Sequence, residues 1–197
     1  MKFKLLGTEI YISFLFIALL TFMLATDRTG LIIPTIFAVI IHEFGHLFTM
    51  WTLECSPKEI KFIPTSVQII RSFSIKPYGE TAIAFSGPAA SIAVFLALYL
   101  IFLNSQSNTV LQFSLLNLII GLFNLLPVKG LDGGTILLNF ISKYFGIEKA
   151  ERAIKLITLI IGLSLLFFGI YAAIYKNFNL TVFIIALYLI VSVIIKI

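Results

Sequence analysis

The sequence predicts an all-α polytopic membrane protein with about six transmembrane helices and a short membrane-surface β segment between the second and third. Three observations carry that expectation. Of the 197 residues, 60% are hydrophobic and only 12% are charged, about half the roughly 25% charged that a soluble domain uses to cover its surface. The apolar residues gather into six long stretches. The basic residues collect in alternate connections between those stretches.

A bilayer-spanning helix needs about 20 mostly apolar residues, and residues 10–25, 31–53, 81–103, 110–126, 153–175 and 180–197 approach or meet that length. The first follows Lys2 and Lys4 and resembles a signal peptide. Its apolar run is too long for one, and Met23-Leu24-Ala25 is a poor cleavage site, so it is expected to remain as a helix. Between the second and third spans, Ile60, Phe62, Val67, Ile69 and Phe73 alternate imperfectly with polar residues, which predicts one or two short strands within 58–78. Pro127, Gly130, Gly133 and Gly134 interrupt the chain after the fourth span. Residues 135–145 then read as a short interfacial helix stopped by Gly146. The length suits a single domain over 1–197 with its core at 31–135, and no stretch is long and polar enough for a second.

Twelve of the fourteen lysines and arginines fall at the termini and in the second-to-third and fourth-to-fifth connections, leaving Arg28 and Lys176 on the other side. That bias predicts a multi-pass cell-membrane protein with both termini in the cytoplasm. It also accounts for the net charge of +5. No basic cluster interleaved with aromatics is present, so a nucleic-acid partner is not expected. Cys55 is the single cysteine, which excludes an internal disulfide.

The second apolar stretch contains His42-Glu43-Phe44-Gly45-His46, an HExxH motif, and these are the chain's only histidines. On a helix, His46 lies about 40° around from His42 and Glu43 about 100°. All three therefore share one face. Two neutral imidazoles one turn apart can bind one Zn²⁺, and the adjacent carboxylate can act as a base on water there. Phe44 points the other way, and Gly45 leaves room for a neighbouring helix. Ionisable groups inside a span are costly, which marks such a cluster as functional; the bland alternative is a buried polar network holding helices together.

A catalytic zinc site takes three protein ligands. Candidates for the third are Asp27, Glu54, Glu59, Glu80 and Asp132. Asp27 falls on the wrong side of the bilayer, and the three glutamates fall at or beyond its surface, where a solvated charge is ordinary. Asp132 follows the fourth span at its cytoplasmic end, the expected depth of the histidines. Its alternative role is to cap or turn the chain ahead of Gly133-Gly134.

Residues Asn124 to Gly134 read NLLPVKGLDGG and resemble the NxxPxxxLDGG signature of the site-2 protease family of intramembrane zinc metalloproteases, in which it follows a transmembrane HExxH helix. Ser86-Gly87-Pro88 resembles that family's glycine-proline motif. The family motif often continues to an asparagine, whereas Ala89-Ala90-Ser91 follows here. The six-span outline is closest to the bacterial branch that contains the sporulation sigma-factor processing protease. The resemblance implies that His42, His46 and Asp132 bind one zinc ion and that Glu43 is the catalytic base. It also implies that Asn124 lines the substrate cleft; a polar cap at the end of the fourth span is the alternative.

The activity so implied is hydrolysis of a peptide bond within or beside a transmembrane segment of a membrane-protein substrate. Expected partners are that substrate, the lipid bilayer and a regulatory membrane protein, with the active site opening to the cytoplasm. No segment has room for a PDZ or CBS domain. The strand-like segment 58–73 is placed to accept an unwound substrate by edge pairing. A zinc transporter is the main rival, but it needs neither Glu43 as a base nor the LDGG element. A catalytically inactive relative that binds membrane proteins is a third reading, set against the intact ligands and base.

Overall fold

The computed structural model describes residues 1–5, 7–55, 57–63, 66–71, 77–174 and 180–194. Phe73 and Lys76 at the end of the expected strand segment, and Tyr175, Lys176 and Lys196 near the last two spans, lie outside the described residues. The chain is mostly helical and forms two compact units, Met1–Phe123 and Asn124–Ile197.

The first unit opens with a four-stranded sheet. Strands β1 (Lys2–Leu5) and β2 (Thr8–Ile12) form an antiparallel hairpin. Gly7 makes its turn at φ +88°, a left-handed value that glycine adopts without a Cβ clash. β2 then pairs in parallel with β3 (Pro57–Ile63), which pairs antiparallel with β4 (Ser66–Arg71). The strands expected between the second and third apolar stretches are therefore present. The N-terminal hairpin was not expected, and it corrects the start of the first span. Ile10, Tyr11 and Ile12 are apolar enough for a helix, but their β-branched and aromatic side chains suit the pleat, and pairing with Ile60, Lys61 and Phe62 decides the outcome.

The sheet has two chemically distinct faces, because neighbouring residues on a strand point oppositely. Phe3, Ile10, Ile60 and Ile69 share one cross-strand row, and Lys4, Glu9 and Glu59 share the next. On the apolar side, Ile69 packs against buried Met50, Cys55 and Ile83, and the Phe62 ring lies 5.7 Å from that of Phe16. On the polar side, Glu59 stands between Lys2 at 3.8 Å and Lys61 at 3.3 Å.

Helix α1 (Phe14–Thr26) ends at Asp27. The Asp27 carboxylate accepts from the amides of Thr29, Gly30 and Ile32, the last at 3.1 Å, and so opens α2 (Ile32–Thr52). These bonds, that from Ile32 foremost, hold the exposed carboxyl below its ordinary pKa. Helix α3 (Pro77–Ser105) starts on a proline, whose missing amide is harmless in a first turn, and α4 (Asn108–Asn124) follows. Buried Ser114 of α4 donates to the Phe95 carbonyl at 3.2 Å. A Cβ on Gly121 would lie 3.2 Å from Ile92, Ser91 and the Pro88 carbonyl, so α4 meets α3 where small residues permit it.

The second unit holds α5 (Asp132–Phe145), α6 (Ile147–Ile174) and α7 (Leu180–Ile194). Gly146, at φ +84°, ends α5 as expected, and its carbonyl accepts from Ala150 in the first turn of α6. α6 begins six residues before the apolar stretch because a helix can project polar turns such as 148–152 into water. α7 packs where Gly162 admits Ile190 and Gly169 admits Phe183. Helices α2, α3 and α6 are long and apolar enough to cross a membrane; the 21 residues of α2 rise about 32 Å, close to a hydrocarbon core of about 30 Å. All six expected stretches contain a helix, but α1, α4 and α7 are shorter apolar helices, so six spans are not established by length.

Candidate metal centre

The HExxH residues occupy the middle of α2, and helical periodicity presents both imidazoles inward. His42 is 3% exposed and His46 is 7% exposed, while Phe44 faces outward and stacks on Phe48. Glu43 is half-buried on the same helix. The Nε2 atoms of the two histidines lie 3.2 Å apart. For two nitrogens bound tetrahedrally to one zinc at about 2.05 Å, the separation is about 3.3 Å.

Helix α3 sets the orientation of both rings. His46 Nδ1 is 2.7 Å from the Ile83 carbonyl, which can only accept, so the ring carries its proton on Nδ1 and presents a lone pair at Nε2. His42 Nδ1 is 3.2 Å from the Ser91 hydroxyl, which is fully buried. With Ser91 accepting, His42 Nε2 is also a lone pair. In that tautomer the two Nε2 lone pairs stand at the separation that two ligands of one metal ion require. Outer partners of this kind hold ligating histidines in the correct tautomer.

Close helix contact makes these bonds reachable. A Cβ on Gly45 would meet the Ser86 carbonyl and Ala90, and a Cβ on Gly87 would collide with the His46 ring. Gly45 and Gly87 therefore let α2 and α3 approach until His46 rests on the backbone of α3. The glycine-proline element thus serves the histidines by packing. Ser91, three residues after Pro88, brings its hydroxyl within hydrogen-bond distance of His42. Sequence patterning did not reveal this contact, because it joins positions 49 residues apart.

Asp132 is placed by different means. It is the first residue of α5, with Leu131 as the N-cap, so it is not itself the cap. One carboxylate oxygen is shut off from solvent. Gly133 and Gly134 have no room for a Cβ against the carbonyls of Leu125 and Val128, which lets the preceding loop lie directly on the first turn of α5. Asn124 is the last residue of α4 and is half-buried.

The other carboxylates weighed as ligands have local roles. Asp27 accepts from the first amide of α2, Glu59 is paired with two lysines, Glu54 sits in the turn after α2 at φ +55°, and Glu80 lies in the first turn of α3. His42 and His46 offer two imidazole donors and Asp132 a carboxylate, and two imidazoles with a carboxylate is a donor set of catalytic zinc sites.

Residues 103–169 match the model of peptidase family M50. The chain is 27% identical over 180 residues to a zinc metalloprotease of Methanocaldococcus jannaschii, a match covering 85% of this chain and 53% of the relative. It is 29% identical over 115 residues to a candidate zinc metalloprotease of Synechocystis sp., covering 55% of this chain and 30% of the relative. The chain thus spans about half or less of the length of these curated relatives. The solved site-2 protease from M. jannaschii shares its fold, with a TM-score of 0.74 at 24% identity over 98% of this chain and 93% of that one. The sporulation branch is not distinguished by these matches. The chain is thus similar in part of its sequence to peptidase family M50 and to zinc metalloproteases, and in fold to a site-2 protease.

Proposed function

We propose that the protein is an intramembrane zinc metalloprotease that cleaves a membrane-protein substrate within or beside a transmembrane segment, as a step of regulated intramembrane proteolysis. The observation that supports this most is the pair of Nε2 atoms 3.2 Å apart inside an apolar helix, each ring held from behind by α3. His42 and His46 are two ligands of a single zinc ion, and Asp132 is the third. When bound, zinc polarises a carbonyl and makes hydroxide available near neutral pH. Glu43, one residue from His42, accepts the proton of the attacking water and delivers it to the departing amine nitrogen. Asn124 contributes an amide that hydrogen-bonds the substrate backbone in the cleft.

A transmembrane substrate hides its carbonyls in its own helix and must unwind before attack. β4 is one of the two edge strands of the sheet, and among the described residues it pairs only with β3, so it can accept an extended stretch of substrate. Proline substitutions along 67–70 are expected to reduce cleavage; unchanged cleavage removes that role. In this proposal α1, α4 and α7 lie in the bilayer with the three longer helices, both termini face the cytoplasm, and the site opens to that side. Two apolar helices after the aspartate support a place near the sporulation sigma-factor processing branch.

The test is co-expression with candidate single-span membrane proteins. The wild type is expected to release a shortened product. Glu43→Gln is expected to leave the substrate intact, lowering activity by about 10²–10⁴-fold while retaining its zinc. Equal cleavage by both proteins rules out Glu43 as the base, and zinc movement without cleavage favours a transporter.

A further inference from the structure

Between α4 and α5 the chain must turn and deliver Asp132 to the start of a helix, and its amides need acceptors where water is scarce. Most are found locally. The Val128 amide donates to Leu126 at 2.7 Å, and the Leu131 amide donates to Val128 at 3.1 Å. The second bond closes a turn around Lys129 and Gly130, with Gly130 at φ +91°.

The Lys129 amide instead reaches out of the loop. It donates to Thr158 Oγ1 on α6 at 2.9 Å. Thr158 is fully buried, and its hydroxyl proton is directed to the Ile154 carbonyl at 2.8 Å. The rotor is therefore fixed, with a lone pair aimed at Lys129. A threonine that only bonded back to its own helix would contribute nothing beyond α6. This one ties an irregular loop to a regular helix. The tie falls three residues before Asp132, beside fully buried Val128, whose carbonyl lies against Gly134.

We infer that Thr158 is a positioning residue, whose hydroxyl holds the 128–131 turn so that Asp132 presents its carboxylate at the geometry a metal demands. It rests on Asp132 being a zinc ligand. Constellations of this type work only when held to about 0.5 Å, so the turn that carries Asp132 needs an anchor.

The test compares purified wild type, Thr158→Ser, Thr158→Val and Asp132→Ala. Zinc affinity is measured by chelator competition and the ligand field by the absorption bands of the cobalt(II)-substituted proteins, with helix content and thermal melting of the metal-free proteins recorded alongside. Thr158→Ser is expected to match wild type. Thr158→Val, close in shape but without the hydroxyl, is expected to bind zinc about 10-fold more weakly and to shift the cobalt bands, with metal-free melting near wild type. Wild-type affinity and bands in Thr158→Val overturn the inference, as does a Thr158→Ser protein equally impaired. If Thr158→Val does not fold, Thr158→Ala takes its place; if neither folds while Thr158→Ser does, the hydroxyl serves the fold and the inference is overturned. Unchanged cobalt bands in Asp132→Ala instead refute the ligand assignment on which it rests.

Discussion

The histidines and the aspartate are held by opposite strategies. His42 and His46 sit on a regular helix, where 3.6-residue periodicity stacks them one turn apart, and α3 then fixes each ring through one hydrogen bond. Asp132 leaves an irregular loop, and its position depends on a turn at Gly130, two glycines pressed against carbonyls, and a buried hydroxyl on α6. The first arrangement gets its precision from repetition and close packing. The second gets it from several backbone constraints, each specific to one residue. The histidine pair should accordingly fail through packing changes and the aspartate through backbone changes.

The largest effect separating the two is expected from Gly87→Ala. Its Cβ would take the place of the His46 ring, so zinc binding should fall to background. Overpacking of this kind costs about 1–3 kcal/mol, which thermal melting in detergent can register; full zinc occupancy in this variant would contradict the packing account. Next comes Gly130→Ala, which forces a side chain onto a left-handed φ at a cost of about 1–2 kcal/mol. Zinc should weaken and the cobalt bands should move, as for Thr158→Val, because both alterations act on the same turn. A smaller loss, about 10-fold in zinc affinity, is expected for Ser91→Ala, measured by chelator competition with helix content unchanged.

The smallest effect lies away from the site. Hydrogen bonds lower the folded pKa of Asp27, so its stabilising contribution is present above the unfolded value of about 3.9 and lost as pH falls through the lower folded value. The melting temperatures of wild type and Asp27→Asn should therefore converge on acidification below about pH 4. A difference that grew on acidification would reverse the sign of that linkage.

The same contrast explains what could be read in advance. The shared face of His42, Glu43 and His46, the outward Phe44 and the space at Gly45 all follow from helical periodicity, and the helix after the LDGG element follows from its glycine punctuation. The N-terminal hairpin did not follow, because Ile10-Tyr11-Ile12 is equally acceptable to a helix, and its fate depends on a strand some fifty residues away. Ser91, the Ile83 carbonyl and Thr158 were hidden for a related reason. A serine or threonine in an apolar stretch has no sequence signature for the group it faces, and a backbone carbonyl has none at all. The polar first turns of α6 were missed because an apolar count ends where helix leaves lipid, not where helix ends.

The central claim is a zinc ion bound by two imidazoles and a carboxylate, and zinc-edge X-ray absorption on the purified protein tests it most directly. The expected result is one zinc per chain, with two imidazole nitrogens at about 2.0–2.1 Å, a carboxylate oxygen at about 2.0–2.2 Å, and loss of the oxygen contribution in Asp132→Ala. A sulfur neighbour at about 2.3 Å, a shell without paired imidazoles, or proteolysis by zinc-free protein would contradict it.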